Sequence, residues 1–154
     1  MTHSIGAIAP DFSLPNQYGE TVSLSELLDK KPVVLVFFPL AFTGICTGEL
    51  CELRDNLELF AHADVELVAI SVDSKGALRA FAESEGYDFM FLSDFWPHGA
   101  VADAYGVFLQ DRGTAGRATF VIDQDRTIHA KFETAPGQAR DFASYESALR
   151  SLRK

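Results

Sequence analysis

Short unbroken apolar runs alternate along this chain with stretches whose apolar residues recur at helical spacing. Val33–Phe38 and Glu66–Val72 read as strands covered on both faces, and Phe89–Ser93 as a third, shorter one. Ala118–Asp123 and Thr127–Phe132 flank Gln124-Asp125-Arg126 as a hairpin. Helices are predicted from Cys46 to about Ala61, and from a cap at Asp73 or Ser74 to Glu85 with Gly86 as its stop. Two more are predicted over Val101–Tyr105 and Asp141–Leu152. Asp11–Ser23 reads as a hairpin turned at Asn16-Gln17-Tyr18-Gly19, followed by one helical turn at Ser25–Leu28. The order predicts an α/β fold, a mixed central β-sheet flanked by helices with an N-terminal β-hairpin extension. With no repeat, linker or low-complexity stretch, residues 1–154 read as one domain.

Projected at roughly 100° per residue, the helix from Cys46 puts Leu50, Leu53, Leu57 and Phe60 on a core-facing stripe with Cys46. Arg54, Asp55 and Glu58 define the opposite side, and Cys51 falls among them, near water. The two thiols therefore differ. Cys46 stands where a helix begins, and the free N–H groups and the positive end of the helix dipole there favour a thiolate. Just before it, Pro39 stiffens the loop and lacks an N–H, and Thr43 offers a hydroxyl one turn ahead of the sulfur.

The formal net charge of -9, with no basic run, excludes nucleic acid and anionic lipid as partners. No stretch approaches the ~20 apolar residues of a membrane span, and Met1–Gly6 lacks the charged leader and apolar core of a signal peptide. Two cysteines five positions apart are not a secreted disulfide framework, so a cytoplasmic setting is expected. His3, His62, His98 and His129 are scattered without metal-ligand spacing to the cysteines, and neither a metal nor another cofactor is expected. Gly113-Thr114-Ala115-Gly116 has no P-loop lysine and no helix after it.

The segment Pro39-Leu40-Ala41-Phe42-Thr43-Gly44-Ile45-Cys46 resembles the Pro-x-x-x-Thr-x-x-Cys signature of the peroxiredoxins, enzymes that reduce hydroperoxides with a cysteine and no metal. Phe37–Cys46 and Leu92–Val101 are similar to the AhpE-type alkyl hydroperoxide reductases, as are Gly6–Phe12 and Arg117–Phe120, so the resemblance spans almost the whole chain. The Cys46-x-x-x-x-Cys51 spacing and Leu53-Arg54-Asp55-Asn56 resemble instead the peroxiredoxin Q (bacterioferritin comigratory protein) subgroup.

The resemblance implies a thioredoxin-like fold and a thiolate at Cys46 that becomes a sulfenic acid. It also implies a peroxide-holding Thr43, a shielding Pro39, and Arg117 beside the reactive sulfur. Cys51 is then the candidate resolving thiol; AhpE-type enzymes often have one cysteine, which leaves an external thiol as the alternative. Glu49 either orients Arg117 or only complements the helix dipole. The implied partners are a hydroperoxide and a thiol reductant such as thioredoxin, mycoredoxin or a low-molecular-weight thiol. A homodimer is also implied, with Phe95-Trp96-Pro97-His98 at its surface or at the pocket rim. The competing function is a redox-sensing disulfide relay on the same fold. A thioredoxin-type reductant is disfavoured, because it would carry Cys-x-x-Cys.

Overall fold

The structure, a computed structural model, describes residues 4–135 and 137–152, with the backbone alone for Cys46. The first three residues, which belong to the expected leaderless start and include His3, lie outside the described residues.

The long apolar run forms β3 (Val33–Phe37), the middle of a five-stranded sheet and buried along its whole length. On one side it pairs in parallel with β4 (Glu66–Ser71), and β4 in parallel with β5 (Met90–Ser93). On the other side it pairs antiparallel with β8 (Arg117–Ile122), and β8 antiparallel with β9 (Ile128–Thr134). Because strand side chains alternate, β3 feeds two cores. Val34, Val36 and the following Phe38 face a layer built with α2 (Gly44–Asp55), α3 (Leu57–Ala63), α4 (Lys75–Glu85) and α6 (Phe142–Leu152). Val33, Leu35 and Phe37 face α1 (Leu24–Leu28), α5 (Ala100–Ala104) and the N-terminal segment. That segment carries the expected hairpin, β1 (Ser13–Pro15) against β2 (Thr21–Ser23). Its turn is tied by Asn16 Oδ1, which accepts from the N–H groups of Tyr18 and Glu20.

The structure corrects one expected element, settles a second and adds a third. The helix predicted from Cys46 to about Ala61 is two helices, broken at Asn56, whose side-chain amide donates to the Glu52 carbonyl at 2.8 Å. An asparagine that takes a backbone acceptor for itself competes with the helix ladder, and the chain turns there. The helix also starts earlier, at Gly44. Second, Ser74 alone caps α4, accepting from the Ala77 N–H at 3.2 Å, and Asp73 is used elsewhere. Third, β6 (Phe108–Leu109) and β7 (Thr114–Ala115) form an unforeseen hairpin. Two-residue strands are too short to show a period.

Gly99 opens α5 in the left-handed region, at φ 71°. A Cβ there would collide with the Phe108 ring. Gly99→Ala should therefore cost about 2 kcal/mol or more, from left-handed strain and overpacking together. The check is a urea midpoint that falls at unchanged slope.

Candidate active site

The loop from β3 to α2 is held in one shape from outside. Asp73 Oδ2 accepts from the Ala41 N–H at 2.8 Å and from Ser71 Oγ at 2.6 Å, while the Asp73 carbonyl accepts from Ser93 Oγ. This anchoring sustains Phe42 at φ 64°, a left-handed conformation that costs a side-chain-bearing residue about 1–2 kcal/mol. The Phe42 ring packs on Phe81, with centroids 4.9 Å apart. Thr43 is the N-cap of α2, but its hydroxyl donates to the Leu40 carbonyl at 2.9 Å and makes no cap bond. Thr43 therefore leaves the N–H groups at the helix start without a cap from its own side chain.

Cys46 is the third residue of α2; its side chain lies outside the described residues. One turn further along the helix stands Glu49, buried, and around it the chain gathers two arginines. Arg117, the first residue of β8, donates from Nη1 to Glu49 Oε1 at 2.8 Å. Arg140, two residues before α6, donates from Nη2 to Oε1 at 3.0 Å and from Nε to Oε2 at 3.1 Å, and adds its backbone N–H to Oε2. Its Nη1 reaches the Phe37 carbonyl at 2.8 Å and Thr119 Oγ1 at 3.2 Å. Burial raises the Glu49 carboxyl. The hydrogen bonds and charge of Arg140, with the charge of Arg117, more than reverse that and hold it below its ordinary value of 4.5. Two guanidinium groups thus meet around one carboxylate, in a chain whose net charge is -9.

Pro39, Thr43 and Arg117 line one open cavity of about 370 Å³, together with Leu40, Arg112 and Thr114. Three of the residues singled out from sequence thus share a pocket. Cys51 does not line it. Nor is it near open water as the helix projection predicted: it is half-buried, packed against the core on the α2 side of the sheet, with its sulfur 3.4 Å from the Tyr87 hydroxyl. The projection missed this because the ring of Tyr87, from the far end of α4, covers what an isolated helix would expose.

The AhpC/TSA family model matches residues 5–131. The chain is a peroxiredoxin. It is 47% identical over 149 residues to "Alkyl hydroperoxide reductase E" of Mycobacterium tuberculosis, covering 97% of each chain. It is 37% identical over 135 residues to "Peroxiredoxin Bcp" of Escherichia coli, covering 83% of this chain and 84% of that one. The solved structure of peroxidoxin BcpB from M. tuberculosis superposes with a TM-score of 0.85 at 38% identity, over 97% of this chain and 96% of the other. The thioredoxin-like fold and thiol-dependent peroxidase activity follow from membership, and the relay reading is not favoured. Both subgroup resemblances are reflected in these relatives.

In this peroxiredoxin, Arg112 and Thr114 line the candidate cavity, Asp73 holds its loop and Arg140 binds Glu49, placements that sequence reasoning missed. Glu49 carried a signal, since a carboxylate flanking an apolar stripe needs a buried cation. Nothing local marked Arg140, 91 positions away, as that cation. Arg140→Ala would remove most of the hydrogen bonds to Glu49 and leave its charge to Arg117, at a cost of about 1.5–3 kcal/mol at pH 7. Because the folded carboxyl lies below its ordinary value, the stabilisation it brings is complete above about pH 4.5 and is lost as pH falls through the lower folded value. The Arg140→Ala deficit in urea should therefore shrink in that acid range. Equal deficits at pH 7 and in acid would make Arg140 a packing residue.

Proposed function

We propose that Cys46 is the peroxidatic residue and that Pro39, Thr43 and Arg117 complete its site. The Cys46 thiolate attacks the terminal oxygen of a hydroperoxide; the O–O bond breaks, the alcohol or water departs, and the sulfur becomes a sulfenic acid. The developing charge on both oxygens needs aimed donors. Thr43 Oγ1, released from Leu40, and the N–H groups at the start of α2 can serve on one side and the Arg117 guanidinium on the other. Pro39 shields the sulfur from bulk water.

The observation that carries this reading is the Glu49 bridge. It ties Arg117, which lines the cavity with Pro39 and Thr43, to Glu49, which follows Cys46 by one turn of α2. The substrates would be hydrogen peroxide, alkyl or lipid-derived hydroperoxides, and peroxynitrite. No nucleic acid or membrane takes part. Among the described residues, no helix is long and apolar enough to cross a membrane.

Cys51 is the candidate resolving thiol, with thioredoxin, mycoredoxin or a low-molecular-weight thiol restoring the reduced state. Both cysteines belong to one continuous helix, α2. Five residues of ideal helix separate their Cα atoms by roughly 8.7 Å, beyond the ~7 Å that a disulfide allows, so α2 must unwind at its start for the bond to form. The exposed apolar side chains Leu40, Phe42, Ile45, Phe95 and Trp96 support a homodimer. The chain would work as one domain over residues 1–154, in the cytoplasm.

Cys46→Ser should abolish peroxide consumption, and Arg117→Ala should slow sulfenic acid formation by about 100-fold with an unchanged far-ultraviolet spectrum. Stopped-flow oxidation rates check both. Rapid oxidation of the Cys46→Ser protein would refute the assignment, and a loss below about threefold would make Arg117 peripheral.

A further inference from the structure

Tyr87 follows the left-handed Gly86 that ends α4, at φ 67°, and its N–H closes the helix end on the Ala82 carbonyl at 3.0 Å. Its ring is then fixed among Phe81, Phe89 and Phe91, at centroid distances of 5.1, 5.5 and 5.6 Å. This rigid mounting aims the hydroxyl at α2. The hydroxyl donates to the Thr47 carbonyl at 3.1 Å. The same hydroxyl oxygen lies 3.4 Å from the Cys51 sulfur, a hydrogen-bonded contact in which either atom can donate. The same sulfur lies 3.6 Å from Glu85 Oε1, and Arg54 ties α2 to the Glu85 carbonyl at 2.6 Å. Burial, then the bond to Cys51, pushes the Tyr87 phenol up, so it remains a protonated donor across the working pH range.

One hydroxyl thus joins the residue after Cys46 to the second cysteine and holds both against the end of α4. Those are the two points that must separate from α4 and approach each other if Cys51 is to reach Cys46. We propose that Tyr87 is a positioning residue for the resolving step, pinning Thr47 and Cys51 so that the strength of the pin sets how fast α2 opens. The proposal rests on the reading of Cys51 as resolving thiol.

Once α2 opens, the Cys51 sulfur attacks the Cys46 sulfenic sulfur. The S–S bond forms, the S–O bond breaks, and the hydroxyl leaves as water with the Cys51 proton. While α2 stays closed, a second hydroperoxide transfers its terminal oxygen to the same sulfenic acid, giving sulfinic acid and an alcohol, or water from hydrogen peroxide. Tyr87 divides the sulfenic acid between these fates.

The test is Tyr87→Phe in the full-length protein, which keeps the ring contacts and removes the hydroxyl. After one equivalent of hydrogen peroxide, stopped-flow and quenched mass spectrometry read the first oxidation and the disulfide separately. Losing the two hydrogen bonds of this hydroxyl should speed disulfide formation at least about fivefold while the first oxidation stays within about twofold of wild type. Amide exchange at residues 47–51 should rise, and sulfinic acid at excess peroxide should fall. A disulfide rate unchanged or slowed in Tyr87→Phe overturns the latch and leaves the resolving role intact. No disulfide in wild type, with Cys51 still alkylatable, overturns both.

Discussion

A buried carboxylate holds the site together. Glu49 takes hydrogen bonds from two guanidinium groups that arrive from opposite directions, Arg117 from the first position of β8 and Arg140 from the segment ahead of α6. Two distant parts of the chain are locked to α2 through one side chain. Dehydrating these charges is costly, and geometry of this quality is what offsets it. Arg140 spends its remaining donors on the Phe37 carbonyl and Thr119, tying the cluster to the sheet. Two guanidinium groups so gathered stand close to a helix start whose N-cap residue makes no side-chain cap bond, an environment that favours an anionic sulfur or oxygen.

The scaffold around this cluster is rigid where the site needs rigidity and weak where the chemistry needs movement. β3 is buried on both faces, and the loop that follows is held by Asp73 firmly enough to sustain a left-handed Phe42. The start of α2 is different. Thr43, Gly44, Ile45 and Gly48 are exposed, and each glycine costs a helix about 1 kcal/mol relative to alanine. Its stability comes from outside, through Glu49 on one side and the Tyr87 contact on the other. A segment held by so few contacts can open without disturbing the sheet.

Features written in local pattern were legible in the sequence. The unbroken run of β3, the Ser74 and Gly86 limits of α4, and the Pro39-to-Cys46 motif each announce themselves within a few residues. Pro39, Thr43 and Arg117 do meet at one cavity. What pattern did not reveal depends on partners far away in the chain. Arg140 looks like any surface cation until Glu49 is placed beside it, and Cys51 looks exposed until Tyr87 covers it. The break at Asn56 turned on one side chain taking a backbone acceptor, against an apolar period that continues through it. Propensity and periodicity are silent on such choices, because the competing bonds differ by about 1 kcal/mol.

If Glu49 matters to the peroxidase because it aims Arg117, the two residues must act as one unit. The direct measurement is a double-mutant cycle of Glu49→Gln and Arg117→Ala, read on the second-order rate of Cys46 oxidation by hydrogen peroxide. Glu49→Gln alone should slow that step at least tenfold, and the double variant should be no slower than Arg117→Ala alone. A wild-type rate in Glu49→Gln, or losses that multiply in the double variant, would contradict the account.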